Sequence, residues 1–87
     1  MMKLRVRTVG EGLHHSEVVV SIRTDKGDEG LVLGKRSLQN DFIEIGYPIR
    51  QNGDSYLIEL PRETSTGSWR VWVDKSQLES VPEKEVA

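Results

Sequence analysis

Two adjacent histidines with a nearby carboxylate are the first residues of this chain that could do chemistry. His14, His15 and Glu17 offer two nitrogen donors and one carboxylate, a ligand set that suits zinc or iron. Neighbouring residues of an extended segment point in opposite directions, which suits joint chelation of one ion poorly. Ser16 beside His15 also lacks the third group that orients a nucleophile and its base. We therefore predict a non-catalytic protein, with a small enzyme or metal binder centred on His14 and His15 as an alternative.

Two glycine-containing stretches come close to ligand-binding loops without meeting their spacing. In GLVLGKRS, residues 30–37, three residues separate the first glycine from the Gly-Lys pair, whereas a phosphate-binding loop needs four. The acidic residues of DKGDEG, residues 25–30, do not follow the order of a calcium loop. We interpret the first as a short strand followed by a solvated loop and the second as a hairpin turn, and we predict no cofactor.

The segment SWRVWVD, residues 68–74, carries two tryptophans three positions apart in a predicted strand. Side chains of a strand alternate between its faces, so Trp69, Val71 and Val73 share one face and Arg70 and Trp72 share the other. The valines indicate that the first face is core, and Trp69 is predicted to be buried with them. Trp72 is then a large apolar ring on the outward face, next to an arginine.

Cations of the first predicted strand lie on a single side of it. Lys3, Arg5 and Arg7 alternate with apolar residues, and the first and last strands are neighbours in many small barrels. If the first strand pairs with the tryptophan strand, Arg5 and Arg7 lie beside Arg70 and Trp72. These four residues are the predicted binding surface.

The composition of that surface fits two classes of partner. Trp and Arg dominate protein–protein hot spots, and cations beside an aromatic ring also suit single-stranded nucleic acid. The chain has 12 basic and 14 acidic residues, and residues 79–87 hold three of the acids and one of the bases, which leaves eleven of each in residues 1–78. Nucleic-acid modules are usually basic. We therefore predict a module for protein–protein interaction or self-association, with an unknown protein or a second copy in a homodimer as partner, and single-stranded nucleic acid as the alternative.

Short strands must position these residues. Leu4 and Val6 alternate with arginines, EVVVSIRT at 17–24 places Val18, Val20 and Ile22 on one face, and LVL at 31–33 and FIEI at 42–45 are further strands. Asn52-Gly53 predicts a two-residue type I′ hairpin turn. This turn would place Arg50 opposite Ser55 and give one core face consisting of Tyr47, Ile49, Tyr56, Ile58 and Leu60. DKSQLES, residues 74–80, is predicted to form a short 3₁₀ or α turn capped by Asp74 or Ser76.

These elements predict an all-β fold of five to six short strands, either a small SH3-like barrel or a two-sheet roll. Residues 1–78 would form the single domain and residues 79–87 an acidic, disordered tail. The chain has no cysteine and no apolar run long enough to cross a bilayer. We expect a soluble cytoplasmic protein without a membrane partner.

Overall fold

A computed structural model describes residues 2–81 of the 87-residue chain. Its regular structure there is all β apart from short 3₁₀ turns at Lys35–Ser37 and Lys75–Gln77. The strands are β1 (Met2–Arg5), β2 (Arg7–Glu11), β3 (Glu17–Thr24), β4 (Gly27–Gly34), β5 (Phe42–Ile45), β6 (Arg50–Asn52), β7 (Ser55–Glu59), β8 (Arg70–Asp74) and β9 (Leu78–Ser80). The predicted all-β class is confirmed.

The strands form three antiparallel sheets of three strands each in the described part of the chain. Sheet A has the order β5-β1-β9, sheet B the order β2-β3-β4, and sheet C the order β6-β7-β8. Val6 separates β1 from β2, is buried, and donates its backbone N–H to the carbonyl of Asp41 at 2.9 Å. A single extended segment, residues 2–11, therefore passes from sheet A into sheet B.

All three sheets contribute to one apolar core. The alternation predicted for EVVVSIRT is confirmed, because Val18, Val20 and Ile22 are buried, and Val71 and Val73 are buried as predicted. The remaining buried apolar residues are Leu4, Val6, Leu31, Leu33, Ile43, Ile45, Ile58 and Leu60. The inward faces of short strands thus cover one another without a long helix.

The sheets do not close into a barrel. Five to six strands were expected in a barrel or a two-sheet roll, whereas residues 2–81 hold nine strands in three sheets. Barrel closure requires a continuous ladder between neighbouring strands. Single backbone hydrogen bonds instead connect the β3–β4 hairpin to β8, from Asp25 N–H to the Trp72 carbonyl at 3.1 Å, and to the loop before β8, from Ser65 N–H to the Gly30 carbonyl at 2.9 Å.

The neighbour of the first strand also differs from the prediction. β1 pairs with β5 and β9, and β8 pairs with β7 in sheet C. Because β9 pairs with β1, Glu79 and Ser80 lie in sheet A, whereas the sequence placed them in the tail. The rest of the tail prediction, from residue 82 to residue 87, lies outside the described residues.

The hairpin around Asn52-Gly53 forms with a different register. Asn52 pairs with Ser55, so Gly53 and Asp54 are the two central residues of the turn. Only Gly53 has a positive φ, at 63°, which is the requirement of a type II′ turn and not of type I′. Ile58 and Leu60 are buried as predicted, whereas the exposure of Tyr47 and Ile49 shows that their placement in the core was wrong.

Of the turn predicted over residues 74–80, the part over Lys75–Gln77 is confirmed as a 3₁₀ turn capped by Asp74, whereas Leu78–Ser80 form β9. The Asp74 carboxylate accepts the backbone N–H of Ser76 at 2.9 Å, and the Gln77 side chain accepts the backbone N–H of Asp74 at 3.0 Å. The hydrogen bonds from Ser76 lower the pKa of Asp74 below its ordinary value.

Candidate functional site

The four residues of the predicted surface fall into two pairs. Arg5 and Arg7 line one cleft at the junction of sheets A and B. Arg70 and Trp72 lie outside that cleft, on the outward face of β8 in sheet C, and Arg70 Nε is 3.7 Å from a carboxylate oxygen of Glu59. The surface does not form as predicted, because β1 pairs with β9 and not with β8.

The cleft that holds Arg5 and Arg7, here named the arginine cleft, encloses about 360 Å³. Its lining residues are Arg5, Val6, Arg7, Ser21, Arg23, Asp28 and Gln77. The strand registers explain this set. Ser21 pairs with Arg7 and Arg23 pairs with Asp28, and extending the β1–β9 pairing by one residue places Gln77 opposite Arg5.

Local contacts involve the side chains of Arg5 and Arg7 and the backbone of Arg23. The guanidinium carbon of Arg5 lies over the Phe42 ring, 4.8 Å from its centre, at the distance of a cation–π contact. Arg7 is 4.0 Å from the Asp28 carboxylate. The Gln77 amide donates to the Arg23 carbonyl at 3.0 Å, which ties β3 to the start of β9.

Trp72 is half-buried on the outward face of sheet C. Leu57 is its partner on β7, and Arg50 follows on β6 in the same row. Its backbone carbonyl accepts the N–H of Asp25 from the β3–β4 turn. Trp72 is therefore flanked in its sheet by Leu57 and Arg50 and is less exposed than its outward direction suggested.

Trp69 is the more exposed tryptophan, with 51% of its surface accessible, so its predicted burial is wrong. It precedes β8, and its carbonyl accepts the N–H of Leu60 at 2.8 Å, which extends the β7–β8 pairing by one step. Trp69 thus keeps the strand parity of Val71 and Val73. At this position beyond the strand end, its side chain leaves the core and lines a groove on sheet B.

This groove, here named the Trp69 groove, lies between the outward face of sheet B and the loop that precedes β8. Val19 and Val32 pair across β3 and β4, and Val32 is 39% exposed. Glycine occupies the neighbouring outward positions, Gly10 on β2 and Gly30 and Gly34 on β4. Because glycine has no side chain, the backbone at Gly10 and Gly34 is open, whereas Gly30 faces Ser65. The floor of the groove is therefore apolar, and Arg62 and Glu63 add charged side chains to its lining.

The loop that forms the other wall is held by hydrogen bonds to Thr64, a buried polar residue. The Thr64 hydroxyl accepts the backbone N–H of Ser68 at 3.1 Å, and its carbonyl accepts that of Gly67 at 2.9 Å. The Thr66 hydroxyl donates to the Glu29 carboxylate on β4 at 2.7 Å. The hydroxyls of Thr64 and Thr66 lower the pKa of Glu29 below its ordinary value.

His14 and His15 lie exposed in the turn between β2 and β3. The His14 carbonyl accepts the backbone N–H of Glu17 at 2.9 Å, which closes that turn. A zinc or iron site needs at least three protein ligands, and no group of three His, Cys, Asp or Glu residues is close enough to share an ion within residues 2–81.

Comparison with known proteins adds no further constraint. No protein-family model, curated protein or solved structure matches the chain. The described residues contain no helix with the length and apolar character needed to span a membrane.

Two parts of these sites were missed at the sequence level. Arg23 lies on the same face of β3 as Ser21, so the sequence alternation predicted that it points outward. Its proximity to Arg7 follows only from the register between β2 and β3. No sequence pattern indicated the Trp69 groove, because the strand alternation predicted that Trp69 is buried.

Proposed function

We propose that this protein is a non-catalytic module for protein–protein interaction, and that it binds an extended segment of a partner protein in the Trp69 groove. The half-exposed indole of Trp69 above the Val19–Val32 pair carries this proposal. Tryptophan is among the residues most enriched at interface hot spots, where it buries a large apolar area with few rotatable bonds.

The backbone of β4 supports an extended partner. β4 is an edge strand among the described residues, and the carbonyl of Gly30 faces away from β3, because it accepts the N–H of Ser65. Backbone groups of alternate strand residues face the same edge. Those of Val32 therefore face this edge too, where an added strand can pair with them while its side chains contact Trp69.

The test uses Trp69 as its own reporter. In a Trp72→Phe variant all tryptophan fluorescence comes from Trp69, and we expect acrylamide to quench it more readily than the fluorescence of Trp72 in a Trp69→Phe variant. Peptides selected from a random display library should protect Trp69 from quenching. Trp69→Ala should weaken their binding by about 2 kcal/mol or more, roughly 30-fold.

Two further variants control this experiment. Val32→Lys places a charge on the groove floor and should also weaken binding, whereas Leu13→Ser removes a side chain that is 98% exposed outside the groove and should leave binding unchanged. Light scattering distinguishes self-association: a dimer that Trp69→Ala dissociates would make a second copy the partner. The proposal is wrong if neither a peptide nor a second copy protects Trp69.

Single-stranded nucleic acid remains the second candidate, because the structure brings Arg23 to Arg5 and Arg7 in one cleft. Nucleic-acid binding should then retain the protein on heparin, with elution only at high salt. The non-catalytic role, the unknown partner and the cytoplasmic location inferred from the sequence stay predictions, as does the alternative of a metal or catalytic site at His14 and His15.

A further inference from the structure

We infer that the arginine cleft is a binding site for a compact, multiply charged oxyanion, such as the phosphate or pyrophosphate group of a small molecule. This site is separate from the Trp69 groove and does not depend on the function proposed there. Its basis is the convergence of Arg5, Arg7 and Arg23 from three different strands on one cleft.

The charge balance within the cleft favours an anion. Three cationic side chains and one carboxylate line it, although the whole chain carries a net charge of −2. Asp28 lies at 4.0 Å from Arg7, and both side chains are more than half exposed, so this pair contributes little. Within residues 2–81, no carboxylate lies within salt-bridge distance of Arg5 or Arg23.

The donor geometry suits an oxyanion in particular. Guanidinium groups present N–H donors in a planar fork that matches two oxygens of a phosphate. The cation–π contact with Phe42 restrains Arg5, and the hydrogen bond from Gln77 ties down the backbone of Arg23. Ser21 adds a hydroxyl directly across from Arg7. The Arg5 side chain and the Arg23 backbone are therefore restrained before a ligand arrives.

A compact anion fits this arrangement better than a polynucleotide. Single-stranded nucleic acid is bound by a track of cations together with aromatic rings on which bases stack. The lining of the arginine cleft contains no aromatic side chain in the described part of the chain. Phe42, the nearest ring shown to contact Arg5, is already covered by Lys3 at 4.5 Å and Arg5 at 4.8 Å.

The experiment is a titration of the ¹⁵N-labelled protein with pyrophosphate, followed by amide and arginine Nε chemical shifts. We expect saturable shifts confined to residues 5–7, 21–23, 28 and 77. Arg5→Ala and Arg23→Ala should each weaken binding by about tenfold or more. Asp28→Asn should tighten it several-fold, because it removes the carboxylate that repels the ligand.

Arg70→Ala is the matched control, because it removes the same charge from an exposed arginine outside the cleft and should leave binding unchanged. Melting temperatures verify folding, and Arg23→Ala tests the site if Arg5→Ala is unstable. Shifts spread over all basic residues, or equal losses in Arg70→Ala and Arg23→Ala, would overturn the inference. Tighter binding of an oligothymidylate that depends on Trp72 would replace it with the nucleic-acid interpretation.

Discussion

At the scale of single residues, the two tryptophans show how position along a strand decides exposure. Trp72 points outward from β8, yet it is the less exposed of the two. Trp69 lies on the same side of the strand as the core valines, yet 51% of its surface is exposed. A strand face is core only where another sheet covers it. Trp69 lies beyond the end of β8, where its side chain lines the groove on sheet B.

Two non-glycine residues, Asn40 and Asp41, have the left-handed backbone conformation. Asn40 and Asp41 have positive φ values of 53° and 68°, and the backbones of Gln39 and Phe42 donate to each other's carbonyls at 2.9 Å. This is the type I′ geometry that was predicted for Asn52-Gly53. Asn and Asp tolerate the left-handed region better than other non-glycine residues.

A substitution series at Asp41 tests this assignment. Asp41→Val should lower the free energy of unfolding by about 1–2 kcal/mol relative to Asp41→Gly, because a β-branched side chain is strained at positive φ. Urea unfolding measures the difference. Asp41→Asn controls for loss of charge and should resemble the wild type; equal stabilities of the Val and Gly variants would contradict the turn geometry.

At the scale of elements, the hairpin between β6 and β7 shows that a turn motif does not fix its own register. Two contacts from the 3₁₀ turn reach Asp54, because Lys75 donates its backbone N–H to the Asp54 carbonyl at 2.8 Å and its ammonium lies 3.5 Å from the carboxylate. These contacts hold Asp54 inside the turn. They are tertiary contacts, invisible to a local motif.

A tertiary contact also holds the loop from residue 61 to residue 69, because the Thr66 hydroxyl donates to the Glu29 carboxylate. Since hydrogen bonds lower the folded pKa of Glu29 below its ordinary 4.5, its stabilising contribution is complete above that value and is lost as pH falls through the folded pKa. The melting temperature of wild type should therefore fall more steeply than that of Glu29→Gln below about pH 4.5.

Glu63→Gln is the control for this pH series, because it removes a carboxylate from the loop itself. Its melting temperature should fall at low pH as steeply as that of the wild type, because Asp74 and Glu29 remain. If the melting temperatures of wild type and Glu29→Gln fall equally below about pH 4.5, the Thr66 hydrogen bond does not contribute to stability.

At the scale of the whole molecule, one core joins three sheets that share few backbone hydrogen bonds. Leu4 of sheet A, Ile22 of sheet B and Ile58 of sheet C are each completely buried in it. Hydrophobic contact thus holds the sheets together, and the domain should unfold as one cooperative unit. The same assembly creates the arginine cleft, because the segment 2–11 carries Arg5 and Arg7 across the junction.

A Leu4→Ala substitution tests that cooperativity. It should destabilise the domain by about 2–5 kcal/mol through lost burial and a residual cavity, and circular dichroism and tryptophan fluorescence should report the same urea transition. Ile22→Val, with an expected loss of about 0.5–1.5 kcal/mol, serves if Leu4→Ala does not fold. Leu13→Ala should change stability by less than about 0.5 kcal/mol; separated transitions would show independently folding sheets.

The local features of this fold were predictable from its sequence. Alternation identified Val18, Val20 and Ile22 as buried, and the residue types around Asp74 identified the capped turn, because side-chain direction and capping depend on residues within a few positions. Alternation also showed that Arg5 and Arg7 point outward. The all-β class followed from the number of such short strands.

Only the tertiary structure decided which strands are neighbours. Strand pairing depends on contacts between residues far apart in the chain, and several pairings satisfy the same alternation. The pairing of β1 with β9 therefore separated Arg5 and Arg7 from Arg70, and the β2–β3 register brought Arg23 to them instead. The exposure of Trp69 likewise depends on tertiary structure, because Trp69 lies just before β8, where its side chain lines the groove on sheet B. No local sequence pattern indicates this.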